Sequence, residues 1–129
     1  MALGYFLLVQ PAVAGWTPSK RLTWTSGWSM VPAIARGASH TLYIVWDDDT
    51  PGNSDIHFKS SPDGGVTWNP MKMLTWTTNH SWDPAVAAGS GGNLVVVWEE
   101  HDDTGQGAEI FYKRSPDGGS SWGTAQRLT

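Results

Sequence analysis

The strongest constraint on this chain is an internal repeat. Trp24-Thr25 returns as Trp76-Thr77, Pro32-Ala33 as Pro84-Ala85, and Val45-Trp46 as Val97-Trp98, each 52 residues later. Ile56 then returns as Ile110, and Ser61-Pro62-Asp63-Gly64-Gly65 as Ser115-Pro116-Asp117-Gly118-Gly119, now 54 residues later. The two extra residues fall in the loop after Trp98, where an insertion disturbs least. A joining segment occurs three times, as Trp16…Arg21-Leu22-Thr23, Trp68…Met73-Leu74-Thr75 and Trp122…Arg127-Leu128-Thr129. With 129 residues the chain is one domain at most, so the period marks a supersecondary unit that buries its faces on its neighbours.

The composition says which unit. Nine Trp and fifteen Gly set many large anchors among many turns, which favours short strands over helices. Pro32–Ala35 and Pro84–Ala87 read as short, small-residue strands, crowded near an axis. Thr41–Trp46 and Asn93–Trp98 are nearly all apolar and suit a central strand covered on both faces. Asp55–Ser60 and Glu109–Arg114 alternate, as a half-exposed strand does. A Pro-Asp-Gly-Gly turn follows, then an outer strand from Trp to Leu-Thr, in which Pro70 fits an edge position. Four antiparallel strands per unit with Gly-rich turns make an all-β pattern of β-propeller-type blades.

The two turns carry a fuller motif. Ser61-Pro62-Asp63-Gly64-Gly65-Val66-Thr67-Trp68 and Ser115-Pro116-Asp117-Gly118-Gly119-Ser120-Ser121-Trp122 both read S-x-D-x-G-x-x-W. This is the Asp-box, or bacterial neuraminidase repeat, and from about residue 14 onward the chain resembles the sialidase-type β-propeller families. The residues support a structural use: the Asp carboxylate can accept turn N–H groups, Gly65 and Gly119 can take φ > 0, and Trp68 and Trp122 can cap the hairpin. The resemblance likewise implies a box at the blade periphery that stabilises the fold and does no chemistry.

Catalysis is not expected. The resemblance to sialidases would imply an arginine triad, a Tyr/Glu nucleophile pair and an acidic proton donor. The arginines are Arg21, Arg36, Arg114 and Arg127, of which Arg21 and Arg127 share one repeated position and read as framework. The arginine motif that precedes the first blade in sialidases is absent. Two acidic loops after the central strands, with Asp47, Asp48 and Asp49 in one and Glu99, Glu100, Asp102 and Asp103 in the other, read as solvated loops. A calcium site is the sharper alternative, from Asp47, Asp49, Asn53 and Asp55 in the first loop and Glu99, Asp102, Asp103 and Glu109 in the second. The spacing does not match an EF-hand.

Other classes are bounded by composition. Eight Lys+Arg against twelve Asp+Glu give a net charge of −4, which offers no basic footprint for nucleic acid. Without cysteine there is no disulfide, thiol catalysis or Cys-ligated zinc. The histidines (His40, His57, His80, His101) lack metal-type spacing and read as surface or loop residues. Asn79-His80-Ser81 is a glycosylation sequon. Trp28, Trp82 and His80 lie near the strands that would line an axis and could stack on sugars or fill the space between blades.

Residues 1–15 contain an apolar run from Leu3 to Val9 followed by Ala12-Val13-Ala14, which resembles a leader and its cleavage site. The run is short and no basic residue precedes it, so an ordered apolar strand is the favoured reading. Pro11 interrupts it too early for a membrane span. The expected organisation is therefore 1–15 as apolar strand or leader remnant, 16–23 as an outer strand without its own blade, 24–75 as the first complete blade and 76–129 as the second. Two blades leave two faces uncovered, and Tyr5, Phe6, Leu7, Leu8 and Trp16 are the candidate assembly residues. The expectation is an extracellular, non-catalytic module that associates with copies of itself into a ring or filament. The alternatives are an oligomeric lectin-like propeller binding glycans between blades, and a piece of a larger cell-surface protein.

Overall fold

The computed structural model describes residues 15–50, 52–102, 104 and 107–129. Tyr5, Phe6, Leu7, Leu8 and Asp103 lie outside these residues. The described chain is all-β apart from a short 3-10 turn at Ser90–Gly92. Strands β1 (Ser29–Arg36), β2 (Leu42–Asp48), β3 (Asp55–Ser61) and β4 (Lys72–Met73) form one antiparallel sheet in that order. Strands β5 (His80–Ala88), β6 (Leu94–His101), β7 (Ala108–Ser115) and β8 (Gln126–Arg127) form a second sheet, wired identically.

The first three strands of each sheet fall where the alternation places them, extended at their ends. The outer strands do not. Each shrinks to two paired residues, Lys72 opposite Phe58 and Met73 opposite His57 in the first sheet. The residues before them are taken up by the Gly-Gly turn, and Pro70 has no N–H to donate to the ladder. Residues 16–23, expected as a strand, form none.

The central strand gives each sheet two faces of different character. Leu42, Ile44, Trp46 and Asp48 alternate with Tyr43, Val45 and Asp47 along β2, and their partners on β6 are Leu94, Val96, Trp98 and Glu100 against Val95, Val97 and Glu99. We call these the tryptophan face and the valine face. The valine face of the first sheet packs on the tryptophan face of the second. One core results, from Tyr43, Val45, Ile56, Phe58 and Leu74 on one side and Leu94, Val96 and Trp98 on the other. Strand β5 lies across β1, β2 and β3. Consequently β3 is buried along nearly its whole length, not half-exposed, whereas its counterpart β7 remains intermediate.

Strands β1 and β5 carry the same irregularity. Their registers slip between Met30 and Ala33 and between Trp82 and Ala85, and the residues just before the two prolines, Val31 and Asp83, sit at φ 45° and 52°. A bulge at this point turns a backbone N–H out of the ladder. In the second sheet the Asp83 backbone at this point lies beside the Asp47 carboxylate of the first and favours its ionised form. Strand β1 is mostly exposed, with Ile34 at 62%.

Candidate functional site: a junction used twice

The joint between the sheets is built from repeated residues. Lys113 on β7 donates from Nζ to the Leu74 carbonyl at 2.5 Å, and the ammonium lies 5.6 Å from the centre of the Trp76 ring. Lys72 reaches forward to the Gly119 and Ser120 carbonyls at 2.6 and 2.7 Å. Between these two clamps Leu74 is buried in the core. Burial depresses the Lys113 pKa.

The same joint occurs a second time, on the tryptophan face of the first sheet. Lys59 donates to the Leu22 carbonyl at 2.6 Å and lies 5.6 Å from the centre of Trp24. Lys20 reaches the Val66 carbonyl at 2.5 Å. Lys20, Leu22, Trp24, Lys59 and Val66 are the repeat counterparts of Lys72, Leu74, Trp76, Lys113 and Ser120. Residues 16–24 therefore touch the first sheet just as the outer segment of the first sheet touches the second. All four lysines of the chain are spent on these two joints. Each joint frames a groove. One is lined by Lys20, Trp24, Lys59 and Trp68 among others, with a volume of about 950 Å³, and the other by Lys72, Trp76, Lys113 and Trp122, at about 350 Å³.

What differs between the joints is how much lies above them. On the second sheet the tryptophan face is fully covered: Leu94, Val96 and Trp98 are buried. On the first sheet residues 22–23 and His57 shield Trp46, but Leu42 and Ile44 are only half-buried and Ile34 is open. The valine face of the second sheet, with Val95, Val97, Ile110 and Tyr112, has no sheet over it among the described residues, while its counterpart (Tyr43, Val45, Ile56, Phe58) is buried. The C-terminal Leu128, equivalent to Leu22 and Leu74, is 60% exposed.

The two Ser-Pro-Asp-Gly-Gly turns share the same bonds around their serine and aspartate. Ser61 Oγ donates to Asp63 Oδ1 at 2.9 Å and accepts the Gly65 N–H at 2.8 Å; Ser115, Asp117 and Gly119 repeat both distances. Asp63 accepts the Thr67 hydroxyl and N–H, and Asp117 those of Ser121. These bonds, the hydroxyl foremost, hold both carboxylates at a pKa of about 2. Gly65 and Gly119 have φ of 93° and 86°. The Trp68 indole closes its turn on the Gly65 carbonyl, whereas Trp122 packs edge-on against Phe58 across the joint.

The acidic loops are distributed, not gathered. Asp47 is buried on the valine face, and burial raises its pKa to about 6. Asp49 accepts the Trp28 N–H at 2.6 Å, the Asn53 amide donates to the Thr77 and Asn79 carbonyls, and Asp55 accepts the Thr75 hydroxyl. Glu99 pairs with His101 at 3.0 Å, Glu109 pairs with Arg127, and Asp102 accepts the Thr104 N–H and hydroxyl. No group of three acidic or imidazole side chains suited to a metal forms among the described residues. Burial works to raise Asp48, but hydrogen bonds from Ser29, Thr25 and Thr50 lower it overall. Trp82 stacks between His80 and His101 at 5.1 and 4.7 Å, while Trp28, on the other sheet, is exposed. Trp16 is fully exposed. His57, expected near the surface, is instead buried beside Trp46, with neither ring nitrogen nor the Trp46 indole N–H hydrogen-bonded.

The lysine clamps are the residues that sequence reasoning missed. Their signal was present, because Lys59 and Lys113 recur at the same 54-residue spacing as the Ser-Pro-Asp-Gly-Gly turns. No protein-family model matches the chain, and a search of curated proteins finds no match.

Proposed function

We propose that this chain is a non-catalytic structural module that associates with copies of itself, its sheets acting as blades of a β-propeller-type ring or filament. One observation carries the reading: the valine face of one sheet packs on the tryptophan face of the next, and the same two kinds of face remain open at opposite ends. Ile34 is exposed and Leu42 and Ile44 are half-buried on one side, and Val95, Val97, Ile110 and Tyr112 are half-buried on the other. Burying each such side chain contributes about 1.5–3 kcal/mol at most, and a head-to-tail contact of this kind either closes or propagates. An export route and a cell-surface setting belong to the same proposal.

Light scattering over a concentration series tests it. The expected result is a mass that is a multiple of 14.0 kDa and grows with concentration. A single-chain mass at every concentration would refute it.

The paired grooves favour a second reading, a lectin-like module. Trp24 and Trp76 are exposed beside Lys59 and Lys113, and such aromatic rings can stack on sugars. A glycan array probed with the protein, with and without calcium, checks it; no binding under either condition removes this reading.

A further inference from the structure

The geometry points to strand exchange as the way two copies join: residues 16–23 of one copy become the outer strand of the second sheet of the next, in place of that copy's own residues 122–129. The inference rests on the self-association proposed above and specifies its contact.

Residues 16–24 already sit on the tryptophan face of the first sheet as the outer segment of a preceding sheet would. Lys59, Lys20 and Trp24 make the contacts that Lys113, Lys72 and Trp76 make at the internal joint. A second sheet arriving from another copy would lay its valine face on Ile34, Leu42 and Ile44. Its β7 edge would then meet residues 20–23. That edge is occupied in its own chain by β8, with Phe111 opposite Arg127 and Tyr112 opposite Gln126. Two segments compete for one edge.

The competition is close because the segments share the three residues that carry most of the bonds. Both read Arg-Leu-Thr, at 21–23 and 127–129. The Leu128 N–H donates to the Ile110 carbonyl at 2.7 Å, the Thr129 hydroxyl accepts the Ile110 N–H and bonds Glu109, and Arg127 pairs with Glu109. Leu22, Thr23 and Arg21 can supply each of these. Even the arginine's local bond is preset, since Arg21 and Arg127 both donate Nε to the threonine carbonyl two residues on. The Tyr112–Gln126 hydrogen bond is the one not replaced, because Lys20 offers no acceptor. Exchange thus costs little, and the gain is the cover of both open faces.

The absence of native cysteine makes a direct test clean. In the Tyr112→Cys/Gln126→Cys variant a disulfide locks β8 on its own β7. The oxidised protein should run as a single 14.0 kDa chain and should associate like wild type after reduction. In Lys20→Cys/Tyr112→Cys, oxidation at associating concentrations should give covalent chain-to-chain dimers and higher multiples on a non-reducing gel. If the locked protein associates as well as the reduced one, exchange is overturned while self-association stands. If wild type never associates, both fall.

Discussion

Replacing Asp47 with Asn should make the protein more stable at neutral pH. The buried Asp47 carboxylate lies beside Asp83 of β5 and leaves Oδ1 without a hydrogen-bond partner. Burial raises its pKa from 3.8 to about 6. At about 1.36 kcal/mol per unit, the ionised form costs the folded state at most ~3 kcal/mol at pH 7. Asp47 is near the end of β2, where solvent still screens it, and the new amide N–H₂ would lack an acceptor. Those two corrections bring the expected gain to about 1–2 kcal/mol.

The pH dependence is the sharper readout. A folded pKa above the unfolded one means that the native state binds the proton first, so this group's stability is present below about pH 4 and is lost as pH rises through 6. Burial raises Asp55 too, which adds a slope of the same sign, while burial depresses His57, which adds one of opposite sign. The difference between Asp47→Asn and wild type cancels both. Measured by urea unfolding from pH 4 to 8, that difference should favour the variant above pH 6 and shrink toward acid. A flat difference, or a variant weaker than wild type at pH 7, would mean that β5 does not close over Asp47.

Three further comparisons, made with five substitutions, set one repeat against the other. His57→Phe installs the residue found at the equivalent position 111 and removes two unpartnered buried nitrogens; unfolding should show a gain of about 1 kcal/mol. His57 contributes stability above pH 6.5 that is lost as pH falls toward its depressed folded value, and the variant should lack that slope. Gly119→Ala should cost about 2–4 kcal/mol, because its Cβ would lie 2.3 Å from the Phe58 ring at φ 86°, while Gly65→Ala, with no contact under 3.6 Å, should cost only about 1. Leu74→Ala should cost about 2–4 kcal/mol, and Leu128→Ala within ~0.5, since the same residue at the same repeat position is 1% exposed in one case and 60% in the other. Thermal or chemical melts of the single chain at low concentration decide both pairs.

These contrasts also mark where the sequence stops being informative. The repeat, the order of strands and the extents of the first three strands of each sheet could be read to within a few residues, because alternation and turn residues act locally; the two-residue outer strands could not. Which face looks inward could not. Trp46 and Trp98 are equivalent in sequence, yet Trp98 is shut between two sheets and Trp46 lies under residues 22–23 beside His57. The acidic run reads as a solvated loop, with calcium ligands as the alternative, but β2 continues to Asp48, so Asp47 and Asp48 point to opposite faces and cannot act together. Carrying the two-residue alternation through the charges would have found this. Lys59 and Lys113 read as the polar half of a half-exposed strand; only the fold shows their heads turned onto the neighbouring unit's carbonyls. A long stem packed on tryptophan with its ammonium on a backbone oxygen is indistinguishable in sequence from a solvated lysine.

The polarity of the joint yields a last expectation that separates it from a symmetric contact. The valine face fits the tryptophan face, so a contact between chains built like the internal joint would be heterologous, with every copy offering one of each. Ile34→Glu places a charge on the open tryptophan face and leaves the valine face of the second sheet intact; Val97→Glu does the reverse. Both side chains lie outside the main core, so each variant should stay folded and each alone should run as a single chain. Mixed in equal amounts, the two retain one good face apiece and should form a one-to-one pair of twice 14.0 kDa that grows no further. Analytical ultracentrifugation of the separate and mixed proteins reads this directly. A face that pairs with its own copy would behave otherwise: one of the variants would keep associating alone, and mixing would rescue nothing. That pattern would overturn the head-to-tail joint, because the internal contact between the sheets would then be no guide to the contact between chains.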